Sequence, residues 1–453
     1  MRRIPISIFI PILLGGLTLV ASQLQAATPK TPSRLSDYRF SEDMPDSLRY
    51  ELVSDLLKKI ISRKPYNRTR FGIDIREVGG RPVFQYREDA ALKPASTLKV
   101  ITTAVALEKL GPEFRYHTVI TTDGELTDSV LDGNLIIHGT ADPQLSGFFD
   151  GEIIGIVSEW ADQLQAAGIR KITGSVFLDN SYFSDDDGKL LTKTATVALF
   201  DKADKSQLVR QVRNKKGKLI QQKIRLRRSA RKLVQINLNN YLADRLAGEL
   251  ARRDMISNKT VELASEQPDS VQFNVLIAHQ SPSLAEIIKR TNKESDNFYA
   301  DQLLRTLGYE VLGTGSLEAG IRVTEAFLAI RLGIDHPDLT IADGSGLSHE
   351  NRITADMLVR TLEYMAIAST NKDVFYNSLS IPTIDGTLER RIRHPLATQI
   401  RAKTGSITGV VTLTGYMSTQ SGKELVFSIL CNGGRASRLK SLEDEICKLL
   451  LNI

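Results

Sequence analysis

Strand-like runs stand at both ends of this chain with a helical stretch between them, and that order points to termini that share one sheet. Near the start, Phe71-Gly72-Ile73-Asp74-Ile75 and Pro82-Val83-Phe84-Gln85-Tyr86 flank the turn pair Gly79-Gly80 and read as a hairpin. Near the end, residues 399–404, 409–417 and 424–431 read as successive antiparallel strands, the last two joined by Gln420-Ser421-Gly422, which has hairpin chemistry. A closing amphipathic helix over 437–450 carries Leu439, Leu442, Ile446 and Leu449 on one face. From Leu284 to about Ala366 the periodicity is helical, broken at Asp343-Gly344-Ser345-Gly346. Leu48, Leu52, Leu56 and Leu57 predict a helix over 47–58, and a second begins near Ser96 and stops at Gly111-Pro112. Roughly 119–269 holds short strand-like runs, such as 134–138 and 175–178, and reads as a separate β-rich unit.

A chain of 453 residues exceeds one compact core, and 42% apolar with 25% charged residues is the composition of an ordinary globular protein. The one long apolar run, Ile4 to Ala21, follows Met1-Arg2-Arg3 and precedes Gln25-Ala26-Ala27, the pattern of a signal peptide over 1–26. Pro5, Pro11 and Gly15-Gly16 weaken the alternative of a permanent membrane helix. The mature protein is therefore expected outside the cytoplasm, away from nucleic acid, and no phosphate-cradling loop contradicts this. Six scattered histidines and two cysteines, Cys431 and Cys447, offer no metal-ligand spacing. The cysteines are either bridged or buried free thiols.

Charge is concentrated. Residues 189–232 hold fifteen Lys and Arg against Asp201 and Asp204, a local +13 in a chain of net +6, so the remainder sums to −7. Lys223-Ile224-Arg225-Leu226-Arg227 alternates as one short strand, and the segment is expected either as a solvated loop or against an anionic envelope surface.

Ser96-Thr97-Leu98-Lys99 places a hydroxyl and an amine at i and i+3, where side chains meet on one helix face. A lysine neutralised by burial can deprotonate such a serine. Two companions follow, Ser295-Asp296-Asn297 in a helix-connecting turn and Lys403-Thr404-Gly405 in a strand. Together they form the signature of class A β-lactamases and penicillin-binding proteins. In this reading Ser96, Lys99, Ser295, Asn297 and Lys403 are catalytic. Ser295 relays a proton to the leaving amine, Asn297 holds the substrate amide, and Lys403 supplies charge. Thr404, Gly405 and Ser406 line the substrate, and the Ser96 and Ser406 N–H groups form the oxyanion hole.

The sequence resembles the low-molecular-mass class C penicillin-binding proteins, the D-alanyl-D-alanine carboxypeptidase/endopeptidase family of the periplasm. The resemblance covers about 71–185 and 235–433 and rests on Lys93-Pro94-Ala95-Ser96-Thr97-Leu98-Lys99, Gly139-Thr140-Ala141-Asp142-Pro143-Gln144-Leu145, Asn292 to Phe298, Asp343 to Ser348, Asp385-Gly386-Thr387-Leu388 and Arg401 to Gly405. It implies an α/β (α+β) fold: a β-lactamase/transpeptidase-like domain, with an antiparallel sheet flanked by helices plus a helical subdomain, and a β-rich inserted domain. The divisions are then 28–118 with 270–453 for the discontinuous catalytic domain and 119–269 for the insert. The separation of 199 positions from Ser96 to Ser295 leaves room for that insert.

The resemblance further implies an acyl-enzyme mechanism without cofactor or metal, peptidoglycan stem peptides as substrates and β-lactam antibiotics as covalent inhibitors. Asp179 matches a family position able to meet the ammonium of a diamino acid; a solvated strand-end Asp is the alternative. His349 stands where the family often has Arg, and the family's Trp- and Tyr-bearing stretch is replaced by the basic segment. Two other functions compete: a serine β-lactamase, disfavoured because no Glu-x-x-Leu-Asn follows the second motif, and a cell-wall-binding protein with little turnover.

Overall fold

The computed structural model describes residues 35–139, 142–146, 150–179, 195–197, 207–213, 219–225, 234–236, 238–256, 261–263, 274–335 and 337–453. The expected signal peptide and most of the basic segment lie outside them. None of the described helices is long and apolar enough to cross a membrane.

Helix α1 (Asp46–Ser62) precedes the hairpin of β1 (Arg70–Glu77) and β2 (Pro82–Tyr86), and a 3₁₀ turn, Ala95–Leu98, opens into α2 (Lys99–Leu110). The chain then enters a second unit through β3 (His117–Thr122), β4 (Leu135–His138), α3 (Asp150–Ala166), β5 (Val176–Asp179), α4 (Leu238–Arg252), β6 (Val261–Leu263) and β7 (Asn274–Gln280). Four longer helices follow, α5 (Leu284–Lys293), α6 (Asn297–Leu312), α7 (Leu317–Leu332) and α8 (Ala355–Ile367), and then a short one, Lys372–Ser378. Strands β8 (Ile400–Ile407), β9 (Val410–Ser418) and β10 (Glu424–Asn432) and helix α9 (Ala436–Leu451) complete it.

The helical run is partitioned by caps. Asp296, Ser316 and Thr354 each accept an N–H three residues on, from Tyr299, Ala319 and Met357, and Ser283 with Glu286 forms a capping box on α5. Such side chains satisfy N–H groups that a helix start leaves unpaired.

The termini do share a sheet, in the order β8-β9-β10-β1-β2, with every neighbouring pair antiparallel. β10 runs through its middle and is buried on both faces. Val426 and Leu430 join α2, α5 to α8 in one core, while Leu425, Phe427, Ile429 and Cys431 join α1 and α9 in another. This is the two-residue alternation of a strand covered on both sides. Cys431 and Cys447 sit in the second of these cores as free buried thiols, held well above the usual thiol range by burial.

The second unit has its own five-stranded sheet, β6-β5-β4-β3-β7, with β4, β5 and β6 parallel to one another. Parallel neighbours need long crossovers, and α3 and α4 pack on this sheet with Trp160 fully buried in the core between them. β7 lies beyond residue 269 yet pairs with β3. In the basic segment, a strand Leu219–Arg225 pairs antiparallel with Gln207–Arg213, so residues 223–225 of the short strand expected at 223–227 belong to a longer one, and 226–227 lie outside the described residues.

Candidate active site

Ser96 sits in the 3₁₀ turn ahead of α2, and its neighbours hold that turn from three strands and a loop. The Asn432 side chain both accepts from Lys93 N (2.9 Å) and donates to Lys93 O (3.0 Å). The Pro94 carbonyl accepts from Thr97 Oγ1 (2.8 Å) and from Thr412 Oγ1 (2.7 Å). Gly405 lets β8 close on the turn, since a Cβ there would lie 2.8 Å from Pro94 O and 2.9 Å from Ser96 N. Gly346, at φ +80°, is pressed harder still: its Cβ would fall 1.8 Å from Ala95 O. Ala95 itself has φ +47° and Ser295 φ +60°, left-handed conformations that non-glycine residues hold only where the surroundings enforce them.

The three motifs converge. Lys99 Nζ is 3.2 Å from Ser96 Oγ and 2.7 Å from both Asn297 Oδ1 and the Ser345 carbonyl. Lys403 Nζ donates to Ser295 Oγ and to the Thr404 carbonyl, each at 2.9 Å. Both lysines are fully buried. Burial pushes the Lys99 ammonium down to about 8, against the pull of Asp301, Asp296 and Asp343. Burial and the adjacent Lys99 charge hold Lys403 well below the usual lysine range. A desolvated amine within reach of a hydroxyl is the arrangement that lets lysine accept a proton near neutral pH.

β8 is the edge strand of its sheet. Ala402 turns its backbone outward to Ser380 (3.1 and 3.0 Å), and by alternation Thr404 and Ser406 point the same way, toward the cleft edge. Thr404 Oγ1 donates to Thr387 Oγ1 (2.7 Å) in the loop that Asp385 anchors to Lys293 and to Ile381 N. That side of the cleft is thus tied to the Ser295 turn.

The outlying candidates separate. His349 is exposed at the rim, with Nδ1 3.2 Å from Lys93 Nζ, three residues before the serine. Asp179 ends β5 in the second sheet, where its Oδ2 is 3.0 Å from His138 Nδ1, while His138 Nε2 meets Thr121 Oγ1 at 2.8 Å. Two neighbours of Lys99 were not singled out from the sequence. One is the Ser345 carbonyl, which no side-chain motif encodes. The other is Asp301, four residues after Asn297 and so on the same helix face.

Residues 53–195 and 201–453 match the D-Ala-D-Ala carboxypeptidase 3 (S13) family. The chain is 27% identical over 420 residues to the D-alanyl-D-alanine carboxypeptidase DacB of Haemophilus influenzae, covering 79% of this chain and 84% of that one. The crystal structure of penicillin-binding protein 4 from the same organism superposes with a TM-score of 0.68 at 24% identity, over 87% of this chain and 98% of that one. A predatory peptidoglycan endopeptidase of Bdellovibrio bacteriovorus shares the fold at a TM-score of 0.53 and 19% identity, over 84% and 93%.

Proposed function

Since the chain belongs to the D-Ala-D-Ala carboxypeptidase 3 (S13) family, we propose that it cleaves the D-Ala–D-Ala ends of peptidoglycan stem peptides through an acyl-enzyme on Ser96, in the periplasm. The observation that carries this reading is the Ser96 hydroxyl 3.2 Å from the buried amine of Lys99. Neutral Lys99 takes the Ser96 proton as Oγ attacks the penultimate carbonyl. The Ser96 and Ser406 N–H groups receive the oxyanion, where preorganised donors are worth most. Asn297 engages Lys99 through Oδ1, which leaves its NH₂ end to bind the substrate amide. Ser295, fed by Lys403, passes a proton to the departing D-alanine amine, and Lys403 with Thr404 meets the terminal carboxylate. Water then hydrolyses the ester.

Penicillins, whose strained amide presents the same carbonyl and carboxylate, stop at the ester and act as covalent inhibitors. Cross-linked D-Ala–diamino acid bonds are a second substrate class in this reading, with Asp179 and His349 proposed to select among them. We assign the catalytic domain to 28–118 and 270–453 around the insert, less the residues of β3 and β7, which pair with each other in the second sheet.

The test is incubation with labelled penicillin, intact-mass analysis, and release of D-alanine from a D-Ala–D-Ala peptide. A stable adduct of one penicillin with D-alanine release is expected. An unlabelled, inactive protein would refute the reading, and rapid turnover of penicillin would make the enzyme a β-lactamase instead. Within the same assay Lys403→Ala should lose at least about tenfold in turnover while remaining folded, because an unpaired charged partner in a cleft costs about 2–5 kcal/mol. Unchanged peptide kinetics would remove Lys403 from the site.

A further inference from the structure

The amine of Lys99 is held by a loop carbonyl, and that loop has its own holder. Asp301 lies one turn after Asn297 on α6, partly buried, with Oδ1 accepting the Gly344 N–H at 3.0 Å. The Ser345 side chain hydrogen-bonds the same carboxylate. One carboxylate therefore binds two consecutive residues of the segment whose Ser345 carbonyl lies 2.7 Å from Lys99 Nζ. The other ties of the loop do different work. Asp343 closes it on itself, accepting from Gly346 N (2.7 Å), Ser348 N (2.6 Å) and Asn351 Nδ2 (2.9 Å), and Thr102 holds the Gly344 carbonyl to α2 at 2.8 Å. Asp301 hydrogen-bonds the loop to the helix that also presents Asn297.

We propose that Asp301 is a positioning residue for the Ser96–Lys99 pair: it fixes the Ser345 carbonyl against the amine and places a carboxylate beside it. This rests on the acylation mechanism given above. The charged groups that face Lys99 are Asp296 at the cap of α6, Asp301 within it, Asp343 in the loop and Lys403 on β8. Burial and Asp343 push the Asp301 carboxyl up to about 7, against the pull of Lys99. An anionic Asp301 thus favours the ammonium form of Lys99, and removing its charge favours the amine.

The experiment measures the rate of acylation by labelled penicillin from pH 5 to 10 for the full chain and for Asp301→Asn, Asp301→Ala and Ser345→Ala, with near-UV circular dichroism on each. Asn keeps an acceptor for Gly344 and loses the charge, so the midpoint of the acidic limb should move down by about one pH unit. Ala loses the acceptor as well, and its limiting rate at high pH should fall about 10- to 100-fold, the scale of a small misplacement of reacting groups. Ser345→Ala weakens the anionic form of Asp301 and should move the midpoint in the same direction by less. A wild-type midpoint in Asp301→Asn, or a wild-type limiting rate in Asp301→Ala, overturns the proposal. If Asp301→Asn does not fold, Ser345→Ala decides, and an unmoved midpoint there overturns it. Failure of the wild type to acylate would instead refute the mechanism on which the proposal rests.

Discussion

Ser96→Ala should emerge from penicillin treatment with its mass unchanged, and Lys99→Ala should acylate about 10²- to 10⁴-fold more slowly than wild type, the range that a positioned general base supplies. The two losses should not add in a double variant, since nucleophile and base act as one unit. In the wild type the rate should climb with pH as the Lys99 amine, whose ammonium is pushed down to about 8, becomes neutral, and should level above that. The direction follows from the role: the proton acceptor is the unprotonated form, so acid suppresses it. Covalent label on purified Ser96→Ala, or a Lys99→Ala rate within tenfold of wild type, would be incompatible with this chemistry.

Gly346→Val should be nearly as damaging without touching a reacting atom. A Cβ at Gly346 would stand 1.8 Å from Ala95 O, and the backbone at φ +80° is one that β-branched residues avoid. Either the loop or the nucleophile turn has to move, which also shifts the Ser345 carbonyl away from Lys99. A displacement of about 1 Å is enough to cost on the order of 100-fold in rate. Gly409→Val separates contact from backbone strain, because Gly409 has φ +74° but nothing within 4 Å of its Cβ position. The acylation rate and melting temperature of both variants check this. A Gly346→Val protein that acylates as fast as Gly409→Val would mean the close approach has no catalytic consequence.

The terminal sheet was legible because its strands carry turn chemistry at both ends: Gly79-Gly80 and Gln420-Ser421-Gly422 mark the hairpins, and the observed strand ends lie within about three residues of the expected ones. The three motifs were legible for a similar reason, since each is a short string with a fixed local conformation. Helices α3 and α4 went unmarked beside the strand-like runs of the second unit, and the parallel pairing of β4, β5 and β6 is a matter of crossover, which local alternation does not encode. Asp301 and the Ser345 carbonyl were passed over because their roles arise where a loop meets a helix 43 residues away in sequence. The local string around Asp301 reads as ordinary helix. His349 and Asp179 came from family correspondence, and the structure sets one at the rim beside Lys93 and the other against His138.

The strand that braces the nucleophile turn is made long after the turn itself. β1 pairs along its length with β10, from Arg70↔Asn432 to Glu77↔Leu425, and Asn432 grips Lys93 from 339 residues away. Contacts so distant close slowly, whereas β3, β4, β5 and β7 can find one another much earlier. At a synthesis rate of roughly 5–20 residues per second, β10 trails the hairpin by tens of seconds. During that interval Thr412 and Asn432 are not there to hold Pro94 and Lys93. Order of manufacture thereby becomes a timer: a partly made molecule has its serine and its lysine but no braced turn to bring them together until β10 is in place.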